Sequence, residues 1–287
     1  APADLAMHVV LPELDGRILA GAISFKADSG SADYRALVNR PEPDRIQQVA
    51  KRIARTIDLA AAPRGARKLL ILMPDYPSAP GRTGYAVGLD VPNSVLAMLH
   101  DLREAGYAVK DIPASARELL DSLHEDAESK HEELSAADYR HFFGKLPDDA
   151  RASVIGAWGE NTAHRFSIRA ASFGNVTVAL APDRGKSGDR RADYHDAALP
   201  PRHELLAFGF WLQQVLGVHA IVHVGAHGTL EWLPGKTVAL SRDCFPEIVT
   251  DALPVIYPFI VSNPGEAAQA KRRIAAITLG HLPPPLV

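Results

Sequence analysis

The chain has 287 residues, of which 47% are hydrophobic and 23% charged, and this composition is typical of a globular protein with one large core or two smaller domains. The formal net charge of −3 argues against nucleic acid or an anionic membrane surface as a partner. The single cysteine, Cys244, excludes a disulfide framework within the chain and predicts a reducing, cytoplasmic location. The sequence shows neither a signal peptide pattern nor an apolar run of about eighteen residues, so no membrane partner is expected.

The N-terminal part predicts two strands joined by an acidic turn. Residues 7–11 are apolar and partly β-branched, and residues 17–25 form a second strand-like stretch. Glu13 and Asp15 lie two positions apart in the turn between them. If the backbone there is extended, both carboxylates point the same way. The alternative is a solvated turn, where acidic residues are common.

The next part predicts a βαβ unit. A helix begins near residue 43, and residues 68–73 form the continuous apolar run of a parallel strand that is covered on both faces. A loop rich in Gly and Pro follows. A second helix begins at Asp90 or Asn93 and ends at Gly106, after which residues 107–109 are expected to start another strand.

The remaining chain continues this pattern after a helical insertion. Further strands are predicted over residues 166–171, 176–180, 219–224 and 254–261, and further helices from His203 to Gly217 and from Asn263 to about Leu279. We therefore predict an α/β fold of mostly parallel sheet units flanked by helices. Its expected parts are an α/β segment over residues 1–112 that carries the Glu13 and Asp15 turn, a helical insertion over 113–160, and an α/β segment over 161–287.

The strongest functional signal is in residues 221–236, where a β-branched run ends in a Gly-rich loop. This loop carries His223, His227 and Glu231. In open α/β sheets, ligands bind at the carboxyl ends of the strands. Two imidazoles and a carboxylate suit a borderline divalent metal such as cobalt or zinc, and do not suit a dedicated magnesium site. The alternative is that each histidine is a hydrogen-bonded structural residue.

Several other kinds of site are disfavoured by spacing. Gly185-Lys186-Ser187 resembles the end of a phosphate-binding loop, but Leu180 stands where a Walker A motif requires glycine. The sequence has no Gly-x-Ser-x-Gly elbow, and Cys244 has no obvious catalytic partner. Hydrolysis by a serine or cysteine nucleophile is therefore not expected, nor is ATP binding through a Walker A motif of this chain.

Residues 223–241 resemble the hallmark segment of the large subunits of ATP-dependent tetrapyrrole metal chelatases, the family that comprises the large subunits of cobaltochelatase and of magnesium chelatase. Residues 11–16 and 254–273 resemble other segments of the same family, so the likeness covers nearly the whole chain. Because these subunits are several times longer, we expect this chain to be an internal piece of one. Residues 16–26, 81–92 and 184–203 resemble the cobaltochelatase version.

This resemblance implies insertion of Co²⁺ into hydrogenobyrinic acid a,c-diamide in cobalamin biosynthesis, with ATP hydrolysed by AAA+ partner subunits. His223, His227 and Glu231 are then the expected metal-holding residues. Glu13 and Asp15 are expected on an opposing wall and, with His227, are the candidate catalytic residues. The candidate substrate-binding residues are mostly loop cations that suit a substrate with many carboxylates: Arg17, Lys26, Arg82, Arg184, His195, His203 and Lys236.

Three other functions remain open from the sequence. The first is the porphyrin-binding part of a magnesium chelatase. The second is a tetrapyrrole- or metal-binding module without chemistry of its own. The third is a zinc hydrolase that uses His223, His227 and Glu231, although the two glycines among them argue against the helical arrangement of zinc proteases.

Overall fold

The computed structural model describes most of the chain, and all structural statements below concern those residues. They are residues 2–29, 36–75, 83–86, 88–124, 132–185, 196–225, 230–258 and 264–280.

The helices and strands alternate along much of the chain, as the sequence predicts for an α/β protein. The α-helices are α1 (Pro2–Leu5), α2 (Leu11–Leu14), α3 (Pro43–Ala61), α4 (Val91–Glu104), α5 (Ala116–Asp121), α6 (Ala136–Phe143), α7 (Asp148–Trp158), α8 (His203–Phe210), α9 (Phe245–Thr250) and α10 (Pro264–Ile274). Wider π-helical turns cover Ala6–Val10 and Trp211–Leu216, and 3₁₀ turns cover Arg64–Ala66 and Leu230–Trp232. The strands are β1 (Ser24–Asp28), β2 (Leu37–Pro41), β3 (Leu69–Met73), β4 (Tyr85–Ala86), β5 (Leu89–Asp90), β6 (Glu132–Ser135), β7 (Arg165–Ile168), β8 (Ala170–Phe173), β9 (Val176–Leu180), β10 (Ala220–His223), β11 (Val255–Pro258) and β12 (Ile277–Leu279).

A six-stranded sheet forms the centre of the protein, with the strand order β12-β11-β10-β3-β9-β8. All neighbouring pairs are parallel except β8 and β9, which form an antiparallel hairpin. β3 lies in the middle, and its residues alternate between the two faces. Leu70 and Leu72 join one apolar core, while Leu69, Ile71 and Met73 join the other. Burial on both faces explains why this strand is continuously apolar, and each such side chain contributes about 2 kcal/mol through removal from water.

The order of connections reverses direction at β3, the strand near the middle of this sheet. From β3 the chain passes to β9 on one side, and then returns to β10 on the other side of β3. β3 and β10 therefore flank a topological switch point, where ligands bind beyond the carboxyl ends of the strands. His223 is the last residue of β10, so it lies at this edge.

The region around residues 113–160 is mainly helical, as predicted, and it packs onto both cores. α5 contributes Leu119 to the core that contains Ile71. α6 and α7 contribute Tyr139 and Val154 to the core that contains Leu70. Between them, β6 pairs antiparallel with β7.

Three elements predicted from the sequence are wrong. Residues 7–11, expected as a strand, are helical, with Val9 buried and Leu5 one turn before it. Residues 107–109 form no strand, and the backbone oxygen of Ala108 accepts from the backbone nitrogen of Asn175 in the β8–β9 turn. A Cβ at Gly174 in this turn would lie 2.3 Å from that same oxygen, so the close approach requires glycine.

The third error concerns the C-terminal helix, predicted to reach Leu279. α10 ends at Ile274, Ala275 has a positive φ of 53°, and β12 then joins the edge of the sheet beside β11. Among the described residues, no helix is long and apolar enough to cross a membrane.

Candidate active site

His223 is held rigidly at the carboxyl end of β10. Only 1% of the residue is exposed, and its ring stacks on Tyr257 with centroids 4.7 Å apart and planes inclined by 6°. β10 and β11 are paired in parallel, with Val222 opposite Ile256, so His223 and Tyr257 are the next pair along. This stack sets the plane of the imidazole, which restricts the directions in which its nitrogens can meet a ligand.

Glu231 lies in the 3₁₀ turn that follows the loop after His223, and it is completely buried. Burial raises the pKa of Glu231 to about 8, the negative charge of Glu266 adds to this effect, and the positive charge of Arg273 opposes it. The carboxyl group is therefore protonated at neutral pH when no cation is bound. A divalent cation would favour its ionised form, as expected of a carboxylate that receives a metal.

The segment from Glu231 to Lys236 is fixed to α10. Arg273 donates to the backbone oxygen of Glu231 and, at 2.9 Å, to that of Lys236. The indole nitrogen of Trp232 donates to Glu266 at 2.6 Å. These contacts join both ends of the segment to one helix, so α10 holds the segment in its position.

Cys244 provides a further support for this segment. Its sulfur accepts from the backbone nitrogens of Lys236 at 3.4 Å and Ser241 at 3.3 Å. A Cβ on Gly235, whose φ is 145°, would lie 2.7 Å from the Cβ of Cys244. Glycine is thus required at position 235 both by its backbone angle and by its contact with Cys244.

Glu13 is joined to the same helix. Arg272 donates to both carboxylate oxygens of Glu13, through Nε at 2.9 and 3.1 Å and through Nη2 at 2.7 Å. The side chain of Glu13 is 11% exposed, so this ion pair is largely shielded from water. The hydrogen bond with Glu13 raises the pKa of Arg272, against the opposing effect of burial. The two predicted walls of the site are therefore connected through the consecutive residues Arg272 and Arg273.

Asp15 does not share the contact that Glu13 makes with α10. The predicted common direction required an extended backbone, but residues 11–14 form the short helix α2 and Asp15 ends it. Asp15 is exposed, as is the neighbouring Arg17. Of the predicted pair of carboxylates, only Glu13 contacts α10.

Two of the predicted substrate-binding residues are buried instead of facing a cleft. His203 contacts the hydroxyl of Tyr139 through Nδ1 at 2.5 Å and the backbone oxygen of Gly159 through Nε2 at 3.0 Å. Because the Gly159 oxygen can only accept, Nε2 carries a proton and Nδ1 accepts from Tyr139. Both ring nitrogens are thereby used in hydrogen bonds within the protein, and the substrate-binding role of His203 stays a prediction.

Arg184 is the second of these residues, and it is only 1% exposed. Its Nη2 donates to the backbone oxygen of Asp196 at 2.8 Å. Its positive charge also contributes to lowering the pKa of Arg273, after the larger effect of burial, so the two guanidinium groups are electrostatically coupled. Arg184 thus belongs to the buried surroundings of Glu231 and Arg273 and not to an exposed rim.

Two of the predicted substrate-binding residues, Lys26 and Lys236, are exposed to solvent. Lys26 is paired with Asp4 at 2.8 Å, and its side chain is 56% exposed. The Nζ of Lys236 lies 6.0 Å from the centre of the Phe25 ring. Both lysines therefore lie around the N-terminal segment, close to β1.

Three predicted site residues, Arg82, His195 and His227, lie outside the described residues. Among the residues that the structure describes, no group of three or more His, Cys, Asp or Glu side chains is arranged to hold a metal. Since His227 is one of the three predicted ligands, the predicted set of His223, His227 and Glu231 stays a prediction.

The structure also places residues near the site that the sequence did not single out. Tyr257 and Arg273 contact His223 and the Glu231 segment, respectively. Asp75, two residues beyond β3, is fully buried and paired with Arg169. An acid two residues after a buried parallel strand is a recognisable signal. The contacts of Arg272 and Arg273 depend on pairings distant in sequence.

Comparison with protein families agrees with this architecture. The CobN/magnesium chelatase family matches residues 1–287. The aerobic cobaltochelatase subunits CobN of Pseudomonas aeruginosa and of a Sinorhizobium species are each 41% identical to the chain, over 99% of its length. A magnesium chelatase subunit of Rhodobacter capsulatus is 29% identical over the same share.

A solved structure shows the same fold. The catalytic subunit of cobaltochelatase from Mycobacterium tuberculosis matches 99% of the chain with a TM-score of 0.88 and 36% sequence identity. The chain spans about a quarter of the length of these relatives, 24% of each CobN subunit and 25% of the solved subunit.

Proposed function

Since the chain belongs to the CobN/magnesium chelatase family, we propose that it carries the metal- and tetrapyrrole-binding part of an aerobic cobaltochelatase. In this proposal the complete subunit inserts Co²⁺ into hydrogenobyrinic acid a,c-diamide, in the cytoplasm, while AAA+ partner subunits hydrolyse ATP. The 41% identity to CobN subunits, against 29% to a magnesium chelatase subunit, supports cobalt as the metal. The proposed imidazole and carboxylate donors also favour cobalt over magnesium.

Insertion requires that the incoming ion exchanges its water for protein ligands and then for ring nitrogens. We assign the first exchange to His223 and Glu231, together with His227. The stacked imidazole of His223 is held in one plane, so its ligand geometry is prepared before the ion arrives. Glu231 loses its proton when the cation binds, because the positive charge offsets the cost of a buried carboxylate.

The ring must also lose its N–H protons. We assign a proton-accepting role to Glu13, whose Oε1 accepts one hydrogen bond from Arg272 and keeps a lone pair, whereas its Oε2 accepts two. Asp15 is exposed and stays a second acceptor candidate in this proposal. The link through α10 supports a common movement of Glu13 and the Glu231 segment, because a shift of Arg272 carries Arg273 with it.

A substrate-selectivity experiment tests this function. The complete subunit is combined with its ATPase partners, ATP and either Co²⁺ or Mg²⁺, and is supplied with hydrogenobyrinic acid a,c-diamide or protoporphyrin. We expect insertion only for cobalt with the corrin precursor. Insertion of Mg²⁺ into protoporphyrin would instead support the alternative function as part of a magnesium chelatase. The match to a magnesium chelatase subunit makes this the second candidate.

A further inference from the structure

The helix α3 turns basic side chains toward the rest of the protein. Arg45, of which 6% is exposed, donates to the backbone oxygen of Leu240 at 2.9 Å and to Glu247 at 2.8 Å. Further along the helix, Arg52 donates to the backbone oxygen of Ala20 at 2.8 Å. An amphipathic helix ordinarily packs an apolar stripe on this inner side. In α3, guanidinium groups hold the inner side instead.

The isoleucines of α3 lie on its outer side. Ile46, Ile53 and Ile57 are 43%, 53% and 60% exposed, respectively. With two exposed alanines they form the isoleucine stripe, which comprises Ile46, Ala50, Ile53, Ile57 and Ala60. Since each residue advances by roughly 100° around the helix axis, these five side chains fall within an arc of about 80°. The stripe is therefore one continuous apolar face that the described part of the chain leaves open to solvent.

The spacing of the isoleucine stripe fits a second helix. Its members are four, three, four and three residues apart, which is the alternation of the a and d positions of a heptad repeat. Side chains at this spacing insert between those of a neighbouring helix. The positions that flank the stripe are uncharged: Gln47, Val49, Ala54 and Thr56. Charged pairs at flanking positions set the choice of partner in coiled coils, so α3 lacks the usual selector for an exchangeable partner.

The apolar character of the stripe indicates a permanent contact. Interfaces between proteins that associate and separate are about as apolar as the rest of a protein surface, whereas permanent interfaces resemble a domain core. The chain spans 24% of the length of each CobN relative, so about three quarters of such a subunit lies outside these residues. The remainder of the same subunit is therefore the occupant that the stripe fits best.

We propose that the isoleucine stripe packs against a helix in another part of the same subunit. α3 then lies between that helix and α9, with its apolar side on the first and Arg45 paired with Glu247 of the second. The proposal rests on the exposure of the stripe and on the length of the relatives. It holds whichever metal or tetrapyrrole the subunit handles.

Thiol labelling of the complete subunit tests this contact. Ile53→Cys places a thiol in the stripe, and Asp58→Cys is the matched control, because Asp58 is exposed on the same helix but lies off the stripe. Labelling by a maleimide is read at each position by peptide mass spectrometry, in the folded subunit and in urea. We expect the Ile53→Cys thiol to react at least about a hundredfold more slowly in the folded subunit, because the reagent must wait for local opening. The control thiol should be slowed by less than about tenfold.

The same measurement separates the possible occupants. Protection of Ile53→Cys that is unchanged by dilution and by the ATPase partners supports a contact within the subunit. Protection that is lost on dilution to the monomer would assign the stripe to a second copy, and protection that appears only with the ATPase partners would assign it to them. Either result overturns the proposal, as does labelling of Ile53→Cys as fast as in urea or equal protection of the control thiol.

A measurement without substitutions guards against a folding defect in the variants. Hydroxyl-radical footprinting of the unaltered subunit reports the solvent exposure of isoleucine side chains directly. We expect Ile53 and Ile57 to be oxidised several-fold more slowly in the folded subunit than after unfolding in urea. Equal rates in the two states would contradict the proposal, because the stripe would then be open to solvent in the complete subunit.

Discussion

Arg272 donates hydrogen bonds to both carboxylate oxygens of Glu13, a residue 259 positions earlier in the sequence. The next residue, Arg273, holds the backbone at Glu231 and Lys236. One turn of α10 thus joins the N-terminal acidic turn to the segment that follows His223. This arrangement makes the relative position of Glu13 and the Glu231 segment depend on a single helix.

The Glu13–Arg272 pair should contribute measurable coupling. With exposures of 11% and 27%, the bidentate pair is expected to have a coupling free energy of about 1 to 3 kcal/mol in a double-mutant cycle of Glu13→Gln and Arg272→Gln. The measurement is urea unfolding of the protein, the two single variants and the double variant. Additive effects of the two substitutions would show that the pair contributes nothing beyond its separate residues.

We expect Tyr257 to support metal insertion through the stacking of its ring on His223, and not through its hydroxyl group. Tyr257→Leu should lower the rate of metal insertion by about twofold to tenfold, as expected for an aromatic pair worth about 0.5 to 1.5 kcal/mol. Tyr257→Phe keeps the ring and should retain most of the rate. Equal losses in the two variants would assign the effect to the hydroxyl and contradict the stacking role.

Glu231 should make the protein less stable as pH rises. Its pKa is about 8 in the folded chain and 4.5 in the reference state, so between these values the folded chain binds more protons than the unfolded chain. The free energy of unfolding should therefore fall by up to about 1.4 kcal/mol per pH unit over this interval. Denaturation in the presence of a chelator, from pH 5 to pH 8, measures this slope.

Glu231→Gln is the control for that slope, because glutamine fills the same space without titrating. The difference in unfolding free energy between the protein and this variant should change steadily in favour of the variant as pH rises. A constant difference across the pH range would mean that Glu231 is ionised throughout.

His203 is expected to be structural. Tyr139→Phe removes the hydroxyl that donates to buried Nδ1, which should cost about 1 to 3 kcal/mol of unfolding free energy. Tetrapyrrole affinity should stay unchanged, since both residues are buried. A selective loss of affinity without a loss of stability would return His203 to the substrate site.

The parts of the fold that the sequence predicted are those where local pattern and tertiary burial agree. The apolar run of β3 and the strand that ends at His223 are buried on a parallel sheet, so their composition identifies them. Residues 7–11 have a similar apolar composition, but they form a helical segment that borders a groove, and composition alone does not separate the two structures.

The candidate site was predictable to a smaller extent. The position of His223 at a strand end followed from the sequence, because parallel strands deliver their last residues to one edge. The stacking of His223 on Tyr257 was not predictable, and neither was the ion pair of Arg272 with Glu13. Both depend on long-range pairing, which no local sequence pattern shows. The hydrogen bond between His203 and Tyr139 was not predictable for the same reason, since the two residues are 64 positions apart.

The most direct test of the central claim is the rate of Co²⁺ insertion into hydrogenobyrinic acid a,c-diamide by the complete subunit with its ATPase partners and ATP. His223→Ala and His227→Ala should each lower this rate by about a hundredfold or more, equivalent to a loss of about 2.7 kcal/mol of transition-state stabilisation. Tetrapyrrole affinity should change little, and urea unfolding of each variant checks that the rate is lost from a folded protein, since removal of the buried, stacked His223 ring also lowers stability. Turnover near that of the unaltered subunit in both variants would contradict the account.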